Sequence, residues 1–545
     1  AMGVGALGSL TTQGSNIGIG GYCGTGITGT DAIDNVLIGG YAGTGGSGNL
    51  KRSIAIGKTA LNSTGTNSVL GAVAIGFDAL TALTSGSANT AIGYESAKAL
   101  TTGGANVSIG YQAMSIGTVV NNSVAIGRSA GKNIATDGNA QRNTYVGAYA
   151  GETVTNGIGQ TFVGYYAGKA YDSGNFNSDV TYIGVSAGQN HTDGGNNTAI
   201  GAYAHYGKSS TTGGSGNTVI GSRSAYYVND IDKTVLIGAY TVGANEATSA
   251  IDGTVAIGYS ALNALTSGAG NVAVGYQALL SATTGGNNLG VGNQAGFYNV
   301  TGTNNTYIGS QSGVGVSGQS HSNNTAVGAS TLNAVTTGDE NTVVGSGAGL
   351  SVTTGYDNVF VGHFSGKAHT TGDDNTFVGH ASGIGNTDGR RNTLIGHNTS
   401  TSSNDNATDQ IVIGSSATGV ANNTAMIGHS SVTDVYMGDN GSSWSTTSDG
   451  RLKENVKDWN VGLDAINKLR IVSYNFKEDN PYGYNPEKER QGIIAQEAQE
   501  VIPEMVSDKG EWLSANQEPM IWALVNAVQE LTNKVNELET KLKEK

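Results

Sequence analysis

Cysteine, proline and charge are all scarce in this chain, and each scarcity closes a class of explanation. One cysteine in 545 residues, Cys23, permits no intrachain disulfide, so the fold does not depend on one. Cys23 itself reads as a buried small hydrophobe or as a crosslink between copies. Four prolines, Pro481, Pro486, Pro503 and Pro519, exclude a proline-rich or collagen-like fibre despite 87 glycines. Only 12% of residues are charged, and 41 acidic side chains outnumber 27 Lys and Arg. No segment concentrates the cations that a phosphate backbone requires, so no nucleic-acid partner is expected. Long hydrophobic runs are missing too: nothing approaches the roughly 20 apolar residues needed to span a bilayer, so no membrane insertion is expected. The first residues, AMGVGALGSL, do not read as a charged segment followed by an apolar one.

What charge there is sits unevenly. Residues 448–545 carry about 13 basic and 18 acidic side chains, whereas residues 1–447 carry about 14 and 23. All four prolines and all four tryptophans, Trp444, Trp459, Trp512 and Trp522, fall near or beyond the junction TTSDGRLKENV at Thr446 to Val456. Two physically different objects share the chain. The boundaries drawn from this are a repeat shaft over 1–430, a connector over 431–447, a small domain over 448–519 and a coiled coil over 520–545.

Up to residue 430 a short motif recurs, as NTAIGYESA at Asn89, NTYVGAYAG at Asn143, NVAVGYQAL at Asn271 and NTFVGHASG at Asn375, in about 24 copies. Its marker glycines recur 17 residues apart (Gly93, Gly110, Gly127) or 20 apart (Gly127, Gly147). Alternating apolar positions such as Thr376, Phe377 and Val378 have the period of a short strand. The glycine that follows supplies a corner, and clusters such as TTGDDN supply turns. A strand, a corner, a small-residue second strand and a turn describe one rung of a parallel β-solenoid. A lone rung cannot bury its apolar side, so rungs must stack. Ala, Ser and Gly after the corner leave a thin core, which favours three copies round a common axis. About 24 rungs stacked within one chain reach on the order of 115 Å; three interdigitating chains reach about three times that.

Several shaft residues invite chemistry. His363, His380, His397 and His429 follow marker glycines and can stack as a ladder, but no interleaved carboxylates or cysteines accompany them, so no metal is expected. The acidic turns Asp339/Glu340 and Asp373/Asp374 lack the spacing of a Ca²⁺ loop. Tyr94, Tyr111, Tyr259 and Tyr276 are either a sugar-stacking surface or corner packing. No Lys-Ser/Thr pair follows a strand as a phosphate loop requires, and no cofactor is expected.

Beyond the junction the pattern becomes α/β. VGLDAINKL reads as a helix, IVSYNF as a strand, and GIIAQEAQEVIP as a strand end running into a helix stopped by Pro503. Ile521, Leu524, Val528, Leu531, Val535, Leu538 and Leu542 are spaced 3, 4, 3, 4, 3, 4, a heptad seam flanked by Glu530, Lys534, Glu537 and Lys541. After a repeat shaft, this seam reads as a three-stranded clamp with Leu524, Val528, Leu531, Val535, Leu538 and Leu542 at its contact.

The repeats resemble the left-handed β-roll heads of trimeric autotransporter adhesins, which also read like NSVAIG, and the repeat shafts of phage tail fibres. SDGRLKENV, GIIAQEAQEVIPEMV and the terminal heptads resemble the C-terminal intramolecular chaperone domain of endosialidases, phage tail fibres and neck appendages, over Ser448 to Lys545. That resemblance implies a single-turnover serine autopeptidase: Ser448 as nucleophile, Thr447–Ser448 as the scissile bond, and Lys453 as general base. The expected architecture is mainly β, a trimeric parallel β-solenoid shaft of about 24 short repeats followed by a small α/β chaperone domain ending in a trimeric coiled coil. The expected function is a host-attachment fibre of a phage tail, located in the virion, a homotrimer that meets a host-surface glycan or protein receptor. The alternative is a bacterial cell-surface adhesive fibre with the same assembly domain. A glycan-degrading tailspike is disfavoured, because the shaft has few carboxylates and no inserted globular domain.

Overall fold

The computed structural model describes residues 1–545 except 11–13, 46–47, 66, 135–139, 172–178, 209–213, 244–246, 248, 429–450, 452, 480–485 and 509–511. The chain forms two compact units, Ala1–Met426 and Ile427–Lys545.

The first unit is built from three-residue strands with a buried centre and half-exposed flanks, as in Thr376–Val378 and Val255–Ile257. Each pairs in parallel and without slippage with the strand of the next rung, Val255 opposite Val272 and Ile257 opposite Val274. Twenty-four such strands make one sheet, so a single chain stacks its own rungs and the shorter of the two expected lengths applies.

The marker glycine closes each strand because no other residue fits. Gly362 has φ 135°, and a Cβ there would lie 2.3 Å from the carbonyl oxygen of Gly379 in the next rung. The segment after the corner is not a second strand, as its small residues suggest, but a run of turns. Its second and fourth residues adopt left-handed conformations, φ 55° at Gln277 and 50° at Leu279. This conformation is costly for non-glycine residues. Here it points one N–H back to Tyr259 O (2.9 Å) and the other forward to Ala295 O (2.8 Å), so the turn is hydrogen-bonded along the axis like a strand.

The core contradicts the expectation of a thin filling of small residues. Tyr145, Phe162, Tyr182, Tyr307, Phe360 and Phe377 are fully buried at strand centres. Strand centre and left-handed turn residue exchange volume. Phe377 faces Gly383, where a Cβ would meet its ring at 2.5 Å, and Phe162 faces Gly168 at 2.7 Å. Where the centre shrinks to Ala55, Ala74, Ala256 or Ala273, the turn position becomes the buried Leu61, Leu80, Leu262 or Leu279. In these rungs the exchange keeps the core filled, as close packing requires; where both positions are small, as at Gly290 and Gly296, Leu279 and Tyr307 of the neighbouring rungs take up the space, and the core runs unbroken within one chain.

The asparagine that begins most motifs forms a buried ladder. Asn358 Nδ2 donates to Asn341 Oδ1 (3.0 Å), Tyr356 O (3.0 Å) and Gly372 O (2.9 Å). Its Oδ1 accepts from the Asn375 backbone N–H (3.1 Å) and Nδ2 (2.9 Å). The ladder runs through Asn271, Asn288, Asn305, Asn324, Asn341, Asn358, Asn375 and Asn392. It satisfies backbone carbonyls at the edge of the strand that would otherwise be buried without partners.

Among its described residues the second unit holds three α-helices, α1 (Leu463–Lys468), α2 (Ala495–Val501) and α3 (Glu518–Lys543), with two antiparallel strand pairs, Val472–Tyr474 with Arg490–Gly492 and Val506–Asp508 with Leu513–Ala515. Pro503 ends α2 by opening a short 3₁₀ turn. The small core gathers Ile502, Met505 and Ala523 with Trp459, Val461, Ile466 and Met520.

Candidate functional site

The heptad residues all lie on α3, a 26-residue helix with Pro519 in its first turn and Lys541 and Lys543 in its last. Both ends suit a helix: proline is preorganised for the first turn, and cations face the negative end of the dipole. One face of α3 is committed to its own unit. Ala523 and Ala527 are buried, Asn526 Nδ2 donates to Trp459 O (2.7 Å) and Val461 O (3.0 Å), and Glu530 Oε2 accepts from the Leu463 N–H (3.3 Å). Glu530 is therefore occupied at the start of α1 rather than free on a coiled-coil flank.

The other face is bare. Leu524 is 44% exposed, Val528 61%, Leu538 65% and Leu542 78%, with Ile521, Leu531 and Val535 exposed beside them. Large aliphatic side chains in an unbroken 3-4 spacing on one long helix are what an oligomeric coiled coil buries. No helix among the described residues is long and apolar enough to cross a membrane, so a bilayer span does not account for this seam.

Of the expected cleavage machinery, Thr447 and Ser448 lie outside the described residues, while Lys453 is described and exposed. Downstream of the junction, Arg470 clasps Glu497 through two N–H groups, one at 2.9 Å, and this partner lowers the carboxyl's pKa. The clasp fastens the segment after α1 to α2.

The shaft's candidate residues fall into columns. His363, His380 and His397 are exposed and stack at 5.2 and 5.1 Å; His429 lies outside the described residues. No group of three or more His, Cys, Asp or Glu among the described residues is placed to hold a metal. Tyr94 stacks on Tyr111 at 5.2 Å and Tyr259 on Tyr276 at 5.6 Å. Rings in these columns cover each other's faces, leaving edges and hydroxyls outward. The acidic turns serve the fold: Asp339 Oδ1 accepts from the Ser322 N–H (2.5 Å), and Asp373 pairs with Arg390 (3.6 Å). Cys23 is fully buried.

Sequence reasoning passed over four buried imidazoles, His191, His205, His321 and His369. His205 takes the large turn position opposite Ala199, the slot that leucine fills elsewhere. It lies 4.0 Å from His191, ring to ring, and burial drives its pKa well below the ordinary value. His321 is held near 4 by the same cause, and its Nδ1 bonds the Tyr307 hydroxyl at 2.6 Å. His205 sits in the turn slot, while His191 and His369 each lie nine residues after an aromatic strand centre, Tyr182 and Phe360, and that shared spacing is the signal that could have found these two.

The geometry so far defines a class, a one-chain parallel β-solenoid joined to a compact α/β unit that ends in an unpartnered apolar helix. Comparison with known proteins adds the particular family of the second unit. Residues 448–507 match the family model described as chaperone of endosialidase, so the chain carries that domain. The chain is similar to long tail fiber protein Gp37 of Enterobacteria phage K3, 39% identical over 100 residues, which is 17% of this chain and 8% of that protein. Gp37 of phage Ox2 is 30% identical over 118 residues, 21% of this chain and 43% of that protein. Myelin regulatory factor homolog 1 of Caenorhabditis elegans is 33% identical over 103 residues, 18% of this chain and 11% of that protein. The matches thus span less than half the length of each of these relatives.

Proposed function

We propose that the chain is a structural, host-attachment fibre of a phage tail, part of the virion, whose C-terminal domain brings three copies together, sets their register and is then cut away. The observation that carries this reading is α3, tied to its own unit along one face and bare along a heptad seam on the other. Two further features support it. The Gp37 relatives are long tail fiber proteins by name. And the outward third residue of every main-sheet strand is Ile or Val, as at Ile126, Ile183, Ile308 and Ile395, all more than a third exposed, an apolar face fit to be covered by other copies.

The mechanism follows from register. Rungs look alike, so three chains meeting along the shaft can pair out of step at little cost, and long-range β assembly is slow and prone to aggregate. Joining the chains through α3 raises their effective concentration at one end, and rungs then form in order from there. Cleavage closes the process. The amine of Lys453 takes the Ser448 hydroxyl proton, the oxygen attacks the Thr447 carbonyl carbon, and the Lys453 ammonium returns the proton to the Ser448 nitrogen as the C–N bond breaks, moving the acyl group from nitrogen to oxygen. Water hydrolyses that ester, leaving a Thr447 carboxylate and a Ser448 amine. Without the template, the fibre persists through slow unfolding.

The test is Leu531→Gln with Leu538→Gln in the full chain. Aggregated shaft is expected; soluble trimers in native mass measurement would overturn the template role. Separately, denatured wild type should run shorter than Ser448→Ala by the 98 residues 448–545. Equal lengths would remove the peptidase and leave the template role standing.

A further inference from the structure

We propose that Arg128 is an oxyanion-binding site on the shaft, taking a carboxylate or phosphate carried on a host-surface glycan; the glycan part of this inference rests on the attachment reading above. Arg128 follows the marker Gly127, in the column where preceding rungs place Tyr94 and Tyr111. Its guanidinium lies over two rings at once, 5.7 Å from the centre of Tyr111 and 5.5 Å from that of Tyr149. The side chain is exposed, and Tyr165, 46% exposed, stands close enough to feel its charge.

This cation lacks the carboxylate partner that Lys98 and Arg391 have. Lys98 sits between Asp78 (3.1 Å) and Glu95 (2.8 Å), and Arg391 is bidentate on Asp409 at 2.7 and 2.9 Å. Arg128 pairs with no carboxylate among the described residues. The two rings lie within cation–π reach of the guanidinium and take up none of its N–H groups, which remain its unspent bonding capacity. A planar fork with a free edge matches the two oxygens of a carboxylate or phosphate. Outward tyrosine edges and hydroxyls beside it suit the hydroxyl-rich remainder of a saccharide.

A second arginine lies among tyrosines further along, one position later in its rung. Arg223 lies over Tyr226 (6.0 Å) and Tyr240 (5.8 Å), donates to the Tyr240 hydroxyl at 3.2 Å, and likewise has no carboxylate partner among the described residues. Five rungs separate the two arginines, on the order of 24 Å along the axis, so a linear anionic glycan lying along the shaft can meet both.

The experiment uses the full chain and three immobilised probes: alginate oligosaccharides for carboxylate, phosphomannan for phosphate, and dextran as the neutral control. Expected is salt-sensitive binding to one or both anionic probes and none to dextran. Affinity should fall about ten-fold in Arg128→Gln and by a smaller factor in Arg128→Lys, which keeps the charge and loses the fork. Which probe binds identifies the oxyanion. Equal binding to dextran, unchanged affinity in Arg128→Gln, or a changed oligomeric state in Arg128→Gln without loss of glycan affinity would each overturn the proposal, the last by making Arg128 a contact between copies. Adsorption to host cells separates the two readings. If wild type adsorbs and Arg128→Gln adsorbs equally, the arginine site fails while the attachment reading stands. If wild type binds the anionic probes through Arg128 but adsorbs to no host, the attachment reading fails and the site stands.

Discussion

The shaft and the C-terminal unit solve the problem of burial in opposite ways. In the shaft each rung hands its backbone donors, most rungs an asparagine amide, and the core its packing to the next rung, so each part is satisfied by a near copy of itself. In the C-terminal unit the contacts are unrepeated: Asn526 on the Trp459 and Val461 carbonyls, Glu530 at the start of α1, Arg470 on Glu497. The shaft is thus strong but indifferent to register, and the unit is specific but leaves a long helix unsatisfied. Specificity has to come from the part that does not repeat.

If this contrast is right, damage to one rung should be large, local and independent of the clamp. The severest single change is Gly362→Ala. It forces a side chain into positive φ and against the Gly379 carbonyl, for about 4 kcal/mol; new proteolytic cuts confined to the rungs around 345–379, with assembly intact, are the expected result. Cuts throughout the shaft would mean that rungs do not fail singly. Phe377→Ala should cost nearly as much, about 3 kcal/mol, through a cavity. Adding Gly383→Leu copies the Ala256/Leu262 arrangement, in which Leu262 already sits at φ 51°. The double variant should regain most of the loss in thermal unfolding, and failure to do so would disprove the volume exchange.

That exchange marks the limit of what the sequence made legible. The period, the buried strand centre and the heptad seam follow from one-dimensional spacing, and the solenoid and α3 carry them. The exchange pairs residues six apart across a corner, as with Phe377 and Gly383, and reading the turn segment as a strand hid it. Asn358 and its counterparts passed for turn formers because their partners are 14 to 17 residues away. The left-handed residues vary in type, from Gln277 to Leu279, and so carry no compositional mark. Glu530 looked like a coiled-coil flank because sequence does not tell which face of α3 its own domain takes. Ser448 and Lys453 rest on the family resemblance alone.

Acid gives a gentler test of the shaft's indifference. His321 has a folded pKa of about 4 against an ordinary 6.5, so the unfolded chain binds the extra proton between those values. Stability from this site is whole above about pH 6.5 and is lost as pH falls towards 4, by about 3 kcal/mol at most. His205, displaced the same way by burial, adds to the loss at its own rung. Hydrogen exchange of amides in Thr306–Ile308 and Thr325–Val327 should quicken in that window and flatten in His321→Gln. Equal quickening in the C-terminal unit would place the acid response elsewhere.

The smallest effect decides whether the asparagine ladder is a structural necessity or a preference. Asn358→Ala removes the amide that serves Tyr356 O and Gly372 O and the oxygen that receives Asn375, for about 2 kcal/mol. Asn358→Ser should cost about half, because serine already fills this position at Ser53 and Ser123, where each hydroxyl oxygen accepts the backbone N–H of the next rung at 3.2 Å. If urea unfolding ranks alanine and serine alike, what matters is the amide reaching across to the carbonyls. If serine stands midway, the oxygen that receives the next rung carries half the ladder, and the shaft tolerates interruptions because each rung depends only on its two neighbours.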